Sequence, residues 1–169
     1  MIDNQSDPIV TAAEKLETAL AADVPGHEQE WTVRLHGALL ALENALRGHK
    51  TAAEGQNGMF ASLNELAPET LPTLDRQLQK LCEDHNDFLR LVAGLRDEAQ
   101  NALRAFQPRL DKPGASAPHF TPQPANTGVP DFGAIRQQGS QFLETLRKHR
   151  ENETKLLLET ATTDVGVGD

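Results

Sequence analysis

Apolar residues recur at intervals of three, four and seven along four stretches of this chain, which is the period of an amphipathic α-helix. The first helix is predicted to begin at Asp7-Pro8, an N-cap residue followed by proline, and to end before the Val-Pro-Gly of residues 24–26. The other three are predicted at about 28–54, 70–105 and 131–162, with a short helical turn at 59–66. Four such helices bury their apolar faces against one another, so we predict an all-α four-helix bundle.

Polar residues interrupt the apolar face of the last helix. His149 lies at its edge and Glu153 in its centre, among Phe142, Leu146, Leu157 and Thr160. His149 and Glu153 are four residues apart, so their side chains point to the same side of the helix. Burying both costs free energy unless a metal ion or a buried hydrogen bond satisfies them, and the pattern leaves both interpretations open.

Three further histidines lie on or beside the apolar faces of the second and third helices. His85 is in the middle of the third face, and His36 lies at a similar height if the two helices are antiparallel, on a rise of about 1.5 Å per residue. His149 and Glu153 share that height if the last helix is antiparallel to the third. We therefore expect His36, His85, His149 and Glu153 in one layer; if the connection reverses the last helix, the coincidence is lost.

His49 occupies a core position on the second helix, but about 20 Å from the level of His36. Glu54 follows it by five residues, which is a poor spacing for a shared helix face. We expect His49 and Glu54 to form a second polar cluster near the turn after the second helix, or to cap that turn. Glu43 and Glu54 are most simply solvated helix charges.

Composition limits the classes of function. The chain has 169 residues, enough for a single domain with one core, and a net charge of -9, which argues against nucleic acid and anionic membranes as partners. Cys82 is alone, which excludes a disulfide framework and a thiolate metal cluster. There is no signal-peptide pattern and no apolar run of about 20 residues, so we expect a cytoplasmic protein.

Six of the ten prolines lie in residues 107–130, which we interpret as a long surface crossover. The sequence contains no Ser-His-Asp pattern, no phosphate-binding glycine loop and no His-Glu-x-x-His motif. Cys82 has no histidine placed to deprotonate it. We therefore do not interpret the protein as an enzyme. Imidazoles and a carboxylate converging from several helices suit iron, zinc or manganese.

The chain resembles the hemerythrin-like (HHE cation-binding) family. Three stretches carry the resemblance: LHGALLALENALRGHKTAAEGQNGMF, APETLPTLDRQLQKLCEDHNDFLRLVAGL and LRKHRENETKLLLETATTDVG. The last resembles the family's closing His-x-x-x-Glu helix, and with its Asp-hydrophobic-Gly ending it is most similar to a branch found in bacterial proteins of uncharacterised function. The resemblance implies a four-helix bundle that holds non-haem iron, in a mononuclear or dinuclear centre, or another transition metal. The implied roles are oxygen, nitric oxide or redox sensing, or iron handling.

Carried over by position, the metal ligands would be His36, His85, His149 and Glu153, with His49 and Glu54 as further candidates. The family usually has a second His-x-x-x-Glu on its second helix, whereas His49 and Glu54 are five residues apart. Two other functions remain open: a metal-free bundle that acts as an interaction or structural module, and a metal hydrolase with an open coordination position.

Overall fold

The computed structural model describes residues 7–66, 71–106 and 130–163. Within these residues the chain forms five helices and no strand. The helices are α1 (Pro8–Ala21), α2 (Glu28–Glu54), α3 (Met59–Leu66), α4 (Leu71–Ala105) and α5 (Phe132–Thr163). These bounds agree with the predicted helices to within a few residues, and the short α3 is the predicted helical turn. None of the five is both long enough and apolar enough to cross a lipid bilayer.

The four longer helices form a bundle in which each packs against two neighbours. α1 lies against α2 and α5, and α4 lies against the same two helices from the other side. The predicted all-α four-helix bundle is confirmed. The short α3 covers one end of the bundle, where it contacts α2, α4 and α5.

Contacts between helices show that α4 is antiparallel to α2 and to α5. Glu54 near the end of α2 contacts His85, and Glu43, three turns earlier, contacts Arg96 further along α4. At the other end of α4, the Phe106 ring stacks on that of Phe132 at 6.4 Å between centroids. The end of α4 and the start of α5 therefore lie at the same end of the bundle. The Pro-rich residues 107–129 between them lie outside the described part of the chain.

Local sequence signals explain where the helices begin and how α2 turns into α3. Asp7 accepts a hydrogen bond from the Ile9 amide at 2.9 Å, as an N-cap does, and Asp131 accepts one from Ala134 at 2.9 Å. Gly58 packs directly on the end of α2: a Cβ there would lie 2.5 Å from the carbonyl oxygen of Ala53. The turn therefore requires glycine at position 58.

The core consists of two apolar clusters stacked along the bundle axis. The larger draws on α1, α2, α4 and α5, and includes Leu16, Leu35, Leu39, Leu42, Leu46, Phe88, Val92, Phe142 and Leu146. The smaller lies beneath α3, and contains Ala53, Phe60, Leu63, Leu74, Leu78, Leu81 and Leu156. Three helices, α2, α4 and α5, contribute to both clusters, and each carries polar residues between them.

Two side chains differ from the sequence predictions. Glu43, expected to be solvated, is only 3% exposed and forms ion pairs with Arg47 and Arg96. A buried carboxylate needs such partners, and Arg96 comes from a neighbouring helix that sequence periodicity does not place. On α5, Leu156 rather than Leu157 enters the core, since Leu157 is 36% exposed.

Candidate metal centre

Four polar side chains from three helices meet between the two apolar clusters. α2 contributes His49, α4 contributes His85, and α5 contributes His149 and Glu153. One potential ligand atom from each lies within 4.8 Å of all the others. We call these four residues the histidine cluster. Along each helix the cluster is bounded by apolar residues on both sides: Leu46 and Ala53 on α2, Leu81 and Phe88 on α4, Leu146 and Leu156 on α5.

The centre of the histidine cluster is one carboxylate oxygen, Oε1 of Glu153. His49 donates a hydrogen bond to it from Nε2 at 2.8 Å. The Nε2 atoms of His85 and His149 lie 3.4 Å and 3.5 Å from the same oxygen. Glu153 is 2% exposed, so its negative charge is removed from water and must be balanced inside the protein.

Two outer carboxylates fix how His85 and His149 are oriented. The Nδ1 atom of His85 donates to Glu54 Oε1 at 2.7 Å, and the Nδ1 atom of His149 donates to Asp84 Oδ2 at 3.2 Å. With the proton held on Nδ1, a neutral imidazole carries its lone pair on Nε2, towards the centre of the cluster. Metal-binding histidines have this arrangement, in which an outer carboxylate sets the tautomer and raises the basicity of the ligand nitrogen.

Both outer carboxylates are themselves held in place by lysines one turn earlier on their own helices. Lys50 pairs with Glu54 on α2, and Lys80 pairs with Asp84 on α4 at 2.6 Å. Burial raises the pKa of Asp84, but the hydrogen bonds from Lys80 and His149 lower it by more. Burial also raises the pKa of Glu54, and the hydrogen bonds from Lys50 and His85 lower it by more. Both groups therefore remain ionised near neutral pH and stay acceptors for the histidines.

The inward-facing nitrogens are left without partners. The Nε2 atoms of His85 and His149 are buried, and neither makes a hydrogen bond. In the neutral tautomer described above, each would present a lone pair to the negative oxygen of Glu153, which is electrostatically unfavourable. A proton on each Nε2 removes that repulsion, and so does a cation between the rings and the carboxylate. The group therefore has the composition and spacing to hold a metal ion.

The contact between the imidazoles and Glu153 shifts the pKa values of His85 and Glu153 in opposite directions. Burial lowers the pKa of His85, but the carboxylates of Glu153 and Glu54 on its two sides raise it by more, so it lies above its usual value. Burial likewise raises the pKa of Glu153, and its close contacts with the imidazoles of His149, His49 and His85 outweigh that effect. The pKa of Glu153 is therefore far below its usual range.

An arginine determines which oxygen of Glu153 faces the histidines. Arg150 donates from Nη1 to Glu153 Oε2 at 2.9 Å, and from Nη2 to Asp7, the N-cap residue of α1. With Oε2 engaged by a guanidinium, Glu153 presents only Oε1 to the centre. A metal held there would therefore receive a single oxygen from this residue.

Aromatic rings close the cluster. The Phe60 ring of α3 is parallel to that of His85, with centroids 5.9 Å apart, and the Phe88 ring meets His149 edge-on at 5.0 Å. The side chains of His85, His149 and Glu153 are all 1–2% exposed, whereas that of His49 is 17% exposed. Access from solvent is therefore on the α2 side.

The structure brings three of the four residues expected in one layer together: His85, His149 and Glu153. The fourth member of the cluster is His49, and His36 lies elsewhere. His36 precedes His49 by 13 residues on the same helix, a distance of about 20 Å along its axis. Glu54, the remaining candidate, contributes no atom to the group of four and instead hydrogen-bonds Nδ1 of His85.

Two residues that organise the cluster were not found from the sequence. Asp84 precedes His85 on α4, and its side chain is 22% exposed and contacts His149 on another helix. Arg150 carries no signal in the helical period. For both, the available hint is a charged residue directly beside a histidine of the apolar face.

Comparisons of the chain with known protein families, with curated proteins and with solved structures found no match.

Proposed function

We propose that this four-helix bundle binds a transition-metal ion through His49, His85, His149 and Glu153. The observation that carries the proposal is the pair of buried Nε2 atoms on His85 and His149, which lack hydrogen-bond partners and face the Oε1 atom of Glu153. Three imidazoles and one carboxylate suit iron, zinc or manganese. The metal would supply a Lewis-acidic centre and, if it is iron, a redox couple as well.

The family resemblance favours non-haem iron within this proposal. His149 and Glu153 are the residues that match the closing His-x-x-x-Glu of the hemerythrin-like family, and both belong to the cluster. Sensing of oxygen, nitric oxide or redox state, or iron handling, would be the corresponding role. The outer carboxylates Glu54 and Asp84 would then tune the metal through the imidazoles that they contact.

A metal-free role is the second candidate, and the hydrogen bond between His49 and Glu153 at 2.8 Å favours it. Protonated histidines around a buried carboxylate would form a charged layer that fixes the register of α2, α4 and α5. In that case the protein would be a structural or interaction module, and metal ions would not change its stability.

Metal content and thermal stability distinguish the two. Protein expressed without a His-tag in medium containing iron, zinc and manganese should carry metal by plasma mass spectrometry, and His85→Ala should lose it. Metal at one hundred times its Kd should stabilise the fold by about 2.7 kcal/mol, which raises Tm by about 5–10 °C in a chain of this size.

His36→Ala is the matched control, because it removes a histidine from α2 outside the cluster and should retain the metal. Circular dichroism establishes that each variant is helical. If no variant binds metal and chelators leave the Tm of the wild type unchanged, the metal proposal is wrong and the metal-free layer is the better account.

A further inference from the structure

The four residues of the histidine cluster are not held equally. His85 and His149 each have a carboxylate on Nδ1, and Glu153 has Arg150 on its outer oxygen. In residues 7–66, 71–106 and 130–163, no carboxylate contacts Nδ1 of His49. His49 is also the only member with a solvent-accessible side chain, at 17% against 1–2% for the others. Three members are therefore anchored by a partner outside the cluster, whereas His49 has no such partner among the described residues.

The cluster has the dimensions of a site for one ion. Four ligands at about 2.0–2.1 Å around a tetrahedral metal lie about 3.3–3.4 Å apart. The distances from Glu153 Oε1 to the three Nε2 atoms are 2.8, 3.4 and 3.5 Å. All four potential ligand atoms lie within 4.8 Å of one another, so the imidazoles would move towards one another to coordinate one ion at the centre.

A second ion has no ligands available in the described residues. Paired metal ions about 3.5–4 Å apart need carboxylates that bridge them. Glu153 cannot bridge, since its Oε2 atom already accepts from the Arg150 guanidinium. Along the bundle axis, the layers on both sides of the cluster are apolar. One contains Leu46, Phe88 and Leu146, and the other contains Ala53, Leu81 and Leu156.

We propose that the cluster holds one metal ion with three anchored ligands, His85, His149 and Glu153, and one displaceable ligand, His49. A small monodentate Lewis base from solution can then take the position of His49 without dismantling the site. This inference rests on the proposed metal-binding function and adds where an external ligand binds. The side chain of His49 reaches solvent, whereas those of the other three ligands are buried.

Cobalt(II) is a suitable probe, because it binds nitrogen and oxygen sites more tightly than Fe²⁺ and its visible spectrum reports coordination geometry. The wild type should bind one Co²⁺ per chain. His49→Ala should still bind one Co²⁺, more weakly, and added imidazole should shift its visible spectrum. His85→Ala should lose stoichiometric Co²⁺ binding, and His36→Ala should match the wild type in both metal content and spectrum.

The outcomes separate the two proposals. Wild type that binds no Co²⁺ overturns the proposed function itself. Binding of two Co²⁺ per chain overturns the single-ion site. If His49→Ala loses Co²⁺ as completely as His85→Ala, or if imidazole leaves its spectrum unchanged, His49 is not displaceable and this inference is wrong. Should His85→Ala fail to fold, His85→Gln keeps a side chain of similar volume and serves in its place.

Discussion

At the scale of single residues, two carboxylates outside the histidine cluster decide which nitrogen of each imidazole faces inward. Glu54 and Asp84 accept the Nδ1 protons of His85 and His149 at 2.7 Å and 3.2 Å. A neutral amide in place of either carboxylate could still accept the hydrogen bond, but it would no longer make the imidazole more basic. The effect of such a change should fall on metal binding rather than on folding.

We therefore expect Asp84→Asn to lower the affinity for metal by about 10–100-fold, the usual cost of losing an outer carboxylate. Competition with a chromophoric chelator measures the affinity. Asp87→Asn is the matched control, since Asp87 is on the same helix and its exposed side chain pairs with Arg90. Equal affinities in the two variants would contradict a role for Asp84 at the site.

At the scale of helices, α2 and α4 are offset along the bundle axis at the end that α3 covers. His49 is 5 residues before the end of α2, whereas His85 is 14 residues after the start of α4. Because the two side chains meet in the cluster, α4 begins about 13.5 Å beyond the end of α2, on a rise of about 1.5 Å per residue. α3 packs at this end of the bundle, against α2, α4 and α5.

The turn into α3 should tolerate no side chain at position 58. In Gly58→Ala the new Cβ would lie 2.5 Å and 2.6 Å from the carbonyl oxygens of Ala53 and Ala52, so the backbone must move. We expect a loss of about 1–3 kcal/mol in the free energy of unfolding, as for other overpacked sites. Urea denaturation of the metal-free protein measures it.

Gly37→Ala makes the same chemical change inside α2, at an exposed position with nothing within 4 Å of the new Cβ. It should stabilise the protein by about 0.5–1 kcal/mol, because alanine favours a helix over glycine. If the two variants change stability in the same direction, the steric account of the α2–α3 turn is wrong.

Helical periodicity was sufficient to predict the elements of the fold but not their relative heights. The apolar spacing placed α2, α4 and α5 within a few residues of their observed bounds, and Asp7 was found from N-cap chemistry. The estimate that aligned His36 with His85 treated the ends of α2 and α4 as level. It did not allow for the offset between these ends, and His49 takes the place expected for His36.

The periodicity of one helix does not predict which side chains of other helices it contacts. Glu43 and Asp84 both lie where a surface charge is the simplest interpretation, yet Arg96 and His149 from neighbouring helices pair with them. Such pairs depend on helix rotation and offset, which are set by packing of the whole bundle. The sequence identified the kinds of residue in the site and most of its members, but not their partners.

At the scale of the whole molecule, the histidine cluster is a charged layer between two apolar cores, so its protonation affects the stability of the entire bundle. The pKa of His85 is raised in the folded protein. In the metal-free protein this histidine therefore contributes stability below its unfolded pKa of about 6.5, and the contribution is lost as pH rises through the folded pKa. Glu153, with its lowered pKa, stays ionised throughout this range.

Metal binding has the opposite pH dependence, because protons compete with the metal for the imidazole nitrogens. We expect the increase in Tm on adding metal to be larger at pH 8 than at pH 6. Thermal unfolding with and without metal at pH 6, 7 and 8 measures it, and His36→Ala should show the same trend. An increase in Tm that is constant or falls with pH would contradict the assignment of the histidines as ligands.

The order of the ligands along the chain gives the site one more property. His49 and Glu153 are 104 residues apart in sequence, and residues 107–129 lie between the helices that carry His85 and His149. A metal ion bound to all four residues is thus a cross-link that closes a long loop. A cross-link restricts the unfolded chain more when the loop that it closes is longer. Protein cleaved between α4 and α5 would be two polypeptides joined by coordinate bonds. Chelation would leave them held by packing alone, and their melting temperature would then depend on protein concentration.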